Sequence, residues 1–243
     1  MKPSITQDLV KDGVHLGLGF ESYELEEIKS RIGTYLRNRV GIYRDSYMVP
    51  LEDYHTVGLV PHREIFTMVN RVVPLAHSLR KMSVLKKLEQ EFGPFKISDD
   101  YRLGFENVLM RFVRPNEPSD VGSFHCDRWF LDVMGFDGFE GHVPIKIWTA
   151  ICCQPGESGL FLCPGSHKKK WTYSVQNLNG VNKPVFDEGQ DYSPELYESN
   201  AGQCAVFGYD FLHGGSMTKG NKTRVSIEFT ILIPEAVFAR KIS

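Results

Sequence analysis

A short run near the middle of the chain, Phe124-His125-Cys126-Asp127, presents an imidazole and a carboxylate separated by one residue. If the run is a β-strand, residues two apart project to the same side, so His125 and Asp127 can reach one point. An imidazole nitrogen and a carboxylate oxygen together suit a first-row divalent metal ion. Because a His-x-Asp pair often arises by chance, the metal interpretation depends on a third ligand elsewhere.

His213 is the candidate for that third ligand. It lies in the run FLHGG at positions 211–215, directly after a strand-like segment. Two histidines and one carboxylate on one face, with further coordination positions open, are the arrangement found in non-haem iron(II) oxygenases. The sequence therefore predicts an iron site formed by His125, Asp127 and His213.

Arg224 follows His213 by eleven residues, and the segment between them contains the turn dipeptide Gly220-Asn221. A hairpin centred near positions 218–219 would make His213 and Arg224 close cross-strand neighbours. The guanidinium fork of arginine matches a carboxylate with two parallel hydrogen bonds, and Ser226 would project from the same face. The predicted hairpin therefore places an Arg-x-Ser pair about one small dicarboxylate's length from the metal.

The stretch from Ile147 to His167, IWTAICCQPGESGLFLCPGSH, closely resembles the middle of the phytanoyl-CoA dioxygenase-like family. That family shows a strand, an acidic or asparagine turn with glycine, a short apolar strand and then Pro-Gly-Ser-His. The motifs around His125, His213 and Arg224 occur in the family's order, so the resemblance covers about residues 108–234. One departure is Ser158, where relatives often have asparagine before the glycine, and it affects only a turn.

The resemblance implies roles for individual residues. The iron ligands would be His125, Asp127 and His213. Arg224 would hold the distal carboxylate of 2-oxoglutarate, with Ser226 assisting. Trp148 matches a position that lines the cosubstrate pocket, although core packing explains this tryptophan equally well. In related halogenases a small residue replaces the carboxylate of Asp127, so its presence favours oxygen transfer.

The implied activity is a dioxygenase reaction in which 2-oxoglutarate and O2 are cosubstrates and succinate and CO2 are released. An unactivated C–H bond would be hydroxylated, and epimerisation, desaturation or ring formation can follow the same hydrogen abstraction. The alternative is a cupin-like metal-binding jelly roll, an isomerase or binding protein without 2-oxoglutarate chemistry. His142 offers such a protein a further ligand, but it has no need of Arg224 and Ser226 beside the metal.

The elements that must position these residues change in character along the chain. Apolar residues recur at helical spacing over positions 25–36, 62–72 (with Met68 on the apolar face) and 83–92. From position 108 onward short alternating strands appear, most clearly over 224–233. We therefore expect one domain over residues 1–243 that is mainly β with N-terminal helices. Residues 1–100 would support a double-stranded β-helix (jelly-roll) core over residues 101–234.

Composition and charge restrict the compartment and partners. A net charge of −2 over 243 residues argues against nucleic acid or an anionic membrane as a partner. The five cysteines contain no Cys-x-x-Cys pair, which argues against a disulfide framework or a structural zinc site. No secretory signal and no apolar run of membrane-spanning length is present. We expect a cytoplasmic protein acting on a small molecule.

The residues that follow the His-x-Asp motif are the candidates for substrate contact. The chain beyond Asp127 must leave its strand at the mouth of the site, so Arg128 and Trp129 would lie at the rim, with Arg128 as an ionic contact. An arginine without any substrate role is an equally good interpretation. Glycines at positions 135, 138 and 141 have a spacing suited to a mobile cover. The polar and aromatic residues here favour an amino-acid derivative, a sugar or a secondary metabolite.

Overall fold

A computed structural model describes residues 4–41, 49–58, 61–67, 69–136, 138–178 and 180–242. The helices are α1 (Ile5–Lys11), α2 (Ser22–Val40), α3 (His62–Ile65), α4 (Ala76–Leu79), α5 (Ser83–Phe92), α6 (Asp127–Val133) and α7 (Glu235–Ile242). The strands are β1 (Val14–Gly19), β2 (Lys96–Ile97), β3 (Leu109–Val113), β4 (His142–Cys152), β5 (Leu160–Leu162), β6 (Tyr173–Leu178), β7 (Val181–Phe186), β8 (Glu195–Tyr197), β9 (Gln203–Gly208), β10 (His213–Gly215) and β11 (Arg224–Pro234).

The larger of the two main sheets is antiparallel and is organised around β11. Its strand order is β1-β9-β4-β11-β2, and β3 also pairs with β11 on the side opposite β4. Alternate side chains of β11 are fully buried on one face: Val225, Ile227, Phe229, Ile231 and Ile233. The strand predicted over residues 224–233 is therefore confirmed, and its period of two separates an apolar face from a polar one.

Helices cover the apolar face of this sheet. The buried stripe of α2, which includes Ile28, Ile32 and Leu36, shares one core cluster with α5 and with the apolar side chains of β11. These apolar residues recur at the spacing of one helix face, so a single stripe of α2 meets the sheet. In the part of the chain that the structure describes, no helix is long and apolar enough to cross a membrane.

A second, smaller sheet faces the polar side of β11. It has the order β10-β5-β8, and an isolated antiparallel bridge joins His125 to His213 at its edge. Trp148, Leu162, Phe207 and Phe211 form a cluster between the two layers. Two facing antiparallel sheets with a packed interior form the predicted jelly-roll core, and the predicted fold class is confirmed.

The N-terminal region differs from its purely helical prediction. The helix expected over positions 62–72 ends at Ile65, because Phe66 turns inward and packs against Tyr54 and Phe112, with ring centroids 5.5 and 4.7 Å apart. Met68 lies outside the described residues. The strand β1, which was not predicted, pairs with β9 at the edge of the large sheet.

Candidate metal and cosubstrate site

His125, Asp127 and His213 lie together at the edge of the small sheet. Each offers one ligand atom, and these atoms all lie within 4.8 Å of one another. The backbones of the two histidines exchange hydrogen bonds of 2.9 and 3.0 Å, and their ring centroids are 4.4 Å apart. The placement of Asp127 on the same strand as His125 was wrong, since Asp127 is the first residue of α6. Its Oδ1 nevertheless comes within 3.9 Å of Nε2 of His125.

Backbone carbonyls fix the orientation of both imidazoles. Nδ1 of His125 lies 2.7 Å from the carbonyl oxygen of Ser123, and Nδ1 of His213 lies 3.0 Å from that of Phe211. A carbonyl can only accept, so each Nδ1 donates a proton and each Nε2 keeps its lone pair. Burial, followed by the neighbouring His213, lowers the pKa of His125 to about 3. Both features favour the neutral imidazole that a metal requires.

The second oxygen of Asp127 faces a buried lysine that sequence reasoning missed. Nζ of Lys146 lies 3.9 Å from Oδ2 of Asp127 and 3.2 Å from Oδ2 of Asp100. Burial opposes a charge here, but the two carboxylates raise the pKa of Lys146 well above its ordinary value. Burial likewise raises the pKa of Asp127, against the opposing effect of Lys146. Oδ1 of Asp127 therefore remains available to a metal ion, whereas Oδ2 lies near the ammonium group of Lys146.

Asp100 is itself held in place by two hydroxyl groups. The Tyr209 hydroxyl donates to its Oδ1 at 3.2 Å, and the Thr230 hydroxyl donates to its Oδ2 at 2.8 Å. The sequence signal for this group was a lysine between two apolar residues, Ile145 and Ile147, in the strand-rich part of the chain. A charged residue at such a position is buried only with a counterion, so it indicates a paired carboxylate.

Arg224 is buried on the polar face of β11 and forms no ion pair with any residue that the structure describes. Arg224 is 1% exposed, and none of its three guanidinium nitrogens has a hydrogen-bond partner among the described residues. Burial, followed by the nearby Arg111, lowers its pKa to about 9. Its Cζ lies 5.9 Å from the ring centre of Trp148, and the buried Ser226 shares its face. A buried unpaired guanidinium is unfavourable unless a ligand completes it, so the position fits a carboxylate.

The predicted hairpin between His213 and Arg224 was wrong. His213 pairs with Leu162 in the small sheet, whereas Arg224 pairs with Val113 in the large one. The segment over residues 216–223 crosses between the layers, and Thr218 forms a parallel bridge to Pro115 on the way. Turn residues serve such a crossover as well as a hairpin, which is why the pattern misled the prediction.

The residues that follow the His-x-Asp motif both belong to α6. Arg128 is partly exposed, and its Nε lies 3.2 Å from Oδ1 of Asp210. Trp129 is 6% exposed and stacks on Tyr173 of the β6–β7 hairpin, with ring centroids 4.8 Å apart. Trp129 thus packs α6 against that hairpin, and substrate contact by either residue stays a prediction.

His142, the extra ligand of the cupin-like alternative, lies away from the metal candidates. It begins β4 and pairs with Pro234 at the end of β11, whereas Arg224 begins that strand. The described residues contain one group of potential metal ligands, and His142 is not part of it.

A family model described as Phytanoyl-CoA dioxygenase (PhyH) matches residues 20–226, a range that includes every candidate ligand and Arg224. Comparison with curated protein sequences gives no match.

Three solved structures are similar to this chain along most of their length. The first is apo ThoJ, a non-heme monooxygenase (16% identity, 96% of this chain and 78% of that one, TM-score 0.62). The second is EctD from S. alaskensis with 2-oxoglutarate and 5-hydroxyectoine (13% identity, 93% of this chain and 74% of that one, TM-score 0.59). The third is SnoK, a non-heme alpha ketoglutarate dependent carbocyclase from nogalamycin biosynthesis (11% identity, 96% of this chain and 84% of that one, TM-score 0.52). At these identities the likeness concerns the fold.

Proposed function

Because this chain belongs to the phytanoyl-CoA dioxygenase family, we propose that it is an iron(II)- and 2-oxoglutarate-dependent dioxygenase that hydroxylates an unactivated C–H bond of a polar small molecule. Membership of the family supports a non-haem iron, 2-oxoglutarate-dependent oxygenase. The hydroxylation, the class of substrate and the roles of individual residues are part of the proposal.

The metal would be held by His125, Asp127 and His213. Two neutral imidazoles and one carboxylate are the donor set that suits iron(II) with open positions. When bound, iron(II) and 2-oxoglutarate together supply the activation of O2, with release of succinate and CO2. The carbonyls that accept from the two Nδ1 atoms would keep the imidazoles oriented, and Lys146 beside Oδ2 favours the ionised form of Asp127.

The single observation that carries this proposal is Arg224. Its buried guanidinium has no partner among the described residues, so a carboxylate entering between the layers gains two charge-assisted hydrogen bonds at little expense in ordering. Ser226 would donate its hydroxyl to the same carboxylate, and Trp148 would bound the pocket on one side. In a cupin-like isomerase or binding protein without 2-oxoglutarate chemistry, no cosubstrate carboxylate would pair with the buried guanidinium of Arg224.

The proposal is tested by measuring succinate from protein reconstituted with iron(II) and 2-oxoglutarate, in the presence of a library of polar small molecules. We expect succinate to form only when both iron(II) and 2-oxoglutarate are present, and to increase with the right substrate. Asp127→Ala should lose iron binding and activity, whereas Asp191→Ala, which removes an exposed carboxylate, should keep both. Wild-type protein that binds neither iron(II) nor 2-oxoglutarate, or full activity of Asp127→Ala, would contradict the proposal.

A further inference from the structure

A second arginine, Arg111, points into the space between the two layers. It lies on β3 directly opposite Ser226 of β11, and residues opposite each other in an antiparallel pair share a face. Its neighbours Met110 and Phe112 belong to the helix-covered core on the other side. A methyl group on Gly122 would come within 3.6 Å of Nη1 of Arg111. The guanidinium therefore reaches from the large sheet to the segment that leads into His125.

Arg111 has no counterion among the residues that the structure describes, where its guanidinium takes part in no hydrogen bond or ion pair. Among acidic groups, Glu228 has the largest effect on the pKa of Arg111. Glu228 already faces Arg71, however, whose Nη2 lies 3.6 Å from its Oε1. Burial would raise the pKa of Glu228, yet Arg111, Lys146 and Arg71 hold it at about 2. This carboxylate is thus ionised and is outnumbered by cations.

The charged groups between the layers can be assigned in pairs of opposite sign. Lys146 is matched by Asp100, Arg71 by Glu228, and Arg224 by the distal carboxylate of 2-oxoglutarate. The carboxylate of Asp127 and the other carboxylate of 2-oxoglutarate balance a divalent metal. Of these described charges one remains without an opposite charge, the guanidinium of Arg111, which is partly exposed and faces the site.

We propose that Arg111 binds the prime substrate, and that this substrate carries a single carboxylate. The inference rests on the proposed function, because it assigns the partner of Arg224 to 2-oxoglutarate. A monoanion leaves the interior neutral, whereas a doubly charged phosphate would leave an excess negative charge. The guanidinium fork also matches the geometry of a carboxylate.

Arg128, the residue that the sequence suggests for this ionic contact, is less suited to it. Arg128 lies on α6 with its side chain 38% exposed, and it already pairs with Asp210. An arginine with a counterion at the surface gains little from a second anion, since water and salt screen it. Arg111 faces the space between the layers and has no anion paired with it among the described residues, so the same anion gains more there.

The test uses the iron(II)-loaded enzyme without O2 and measures equilibrium binding by calorimetry. The first titration is with 2-oxoglutarate. The second adds matched pairs of monocarboxylic acids and their primary amides to the enzyme saturated with 2-oxoglutarate, and the same pairs are then screened for stimulated succinate release. The variants are Arg111→Gln and Arg111→Lys, with Arg128→Gln as the competing assignment. Arg31→Gln, a partly exposed arginine of α2, is the matched control.

We expect acids to bind and to stimulate succinate release more strongly than their amides. Arg111→Gln should weaken binding of the acid about ten- to hundredfold, leave its amide unaffected, and leave 2-oxoglutarate binding unchanged. Arg111→Lys should recover part of the loss, which excludes misfolding as its cause. Arg31→Gln should behave as wild type.

Three results would overturn the inference while leaving the proposed function intact. In the first, amides match the acids, or no acid binds. In the second, acid binding is insensitive to Arg111→Gln or is lost in Arg128→Gln instead. In the third, Arg111→Gln weakens 2-oxoglutarate itself, which would assign Arg111 to the cosubstrate. Wild-type enzyme that fails to bind 2-oxoglutarate in the first titration would overturn the proposed function, and with it this inference.

Discussion

Among individual residues, buried charges separate positions that support the site from positions that await a ligand. Lys146 is matched by Asp100 and approaches Asp127, so its charge is satisfied inside the protein. Arg224 is equally buried but has no partner among the described residues. A structural ion pair satisfies both members, whereas a binding residue is completed only by what it binds. This contrast distinguishes Lys146, which would position a metal ligand, from Arg224, which would bind the cosubstrate.

We predict that Lys146→Met weakens iron(II) binding about ten- to hundredfold, because Oδ2 of Asp127 loses the cation beside it. The same change should lower the free energy of unfolding by about 3–5 kcal/mol, since the carboxylate of Asp100 is left without the cation that it pairs with. Metal titration and denaturant unfolding measure the two effects. Lys86→Met, at an exposed position of α5, is the control. Adding Asp100→Asn should restore much of the stability but not the metal affinity; if it restored both, Lys146 would act only on the fold.

At the level of elements, the sequence was informative where one element determines its own pattern. The period of two in β11 and the helical spacing in α2 and α5 reflect one buried face each, so both were predictable. The placement of His213 against Arg224 depended on how two sheets are connected, and turn residues at positions 220–221 fit a hairpin and a crossover alike. Asp127 was placed on a strand because local spacing does not reveal that a helix begins there. The three ligand candidates nevertheless meet, since His125 remains paired with His213.

We predict that Trp129 acts through α6 and not through the substrate. Its ring stacks between that helix and the β6–β7 hairpin. Trp129→Ala should lower the free energy of unfolding by about 3–5 kcal/mol, and it should weaken metal binding because α6 begins with Asp127. Trp129→Phe should keep most of both. Stability and metal affinity are measured without substrate, and substrate preference is measured separately. Unchanged stability and metal affinity in Trp129→Ala, together with an altered substrate preference, would support the substrate contact predicted from the sequence.

In the whole molecule, one face of the large sheet packs against the helices and stabilises the fold, and the other face meets the small sheet and contains the candidate site. The helix-covered face of the large sheet is apolar and continuous, whereas the facing sides of the two sheets contain the charged residues of the site. The fold class, and the three candidate metal ligands that the structure brings together, could be predicted from sequence because each leaves a local signal. The pairings of Lys146 and Glu228 could not, since they join side chains that are distant in the sequence.

We predict that acid weakens the metal-free fold through a buried histidine outside the site. His62 packs against Tyr54, and burial lowers its pKa to about 4, although Asp120 opposes the shift. The unfolded histidine titrates near ~6.5, so the unfolded state binds the proton first. The stability is fully present above that pH and is lost as pH falls toward 4, by up to about 1.4 kcal/mol per pH unit.

Denaturant unfolding between pH 7 and 4 measures this loss. His62→Gln should flatten the pH dependence, while His77→Gln, at an exposed position, should leave it as in wild type. An unchanged slope in His62→Gln would show that the acid sensitivity arises from other groups, such as His125.

The central claim is that a dicarboxylate bridges Arg224 and a metal held by His125, Asp127 and His213, and its most direct test is titration of the iron(II)-loaded protein with 2-oxoglutarate in the absence of O2. We predict binding that requires the metal. Arg224→Ala should weaken it by about 2–5 kcal/mol, or tens- to thousands-fold, without reducing iron(II) affinity or the stability of the free protein, because its guanidinium has no partner there. Arg31→Ala should bind as wild type. Equal affinity of Arg224→Ala and wild type for 2-oxoglutarate, with iron(II) bound in both, would contradict the claim.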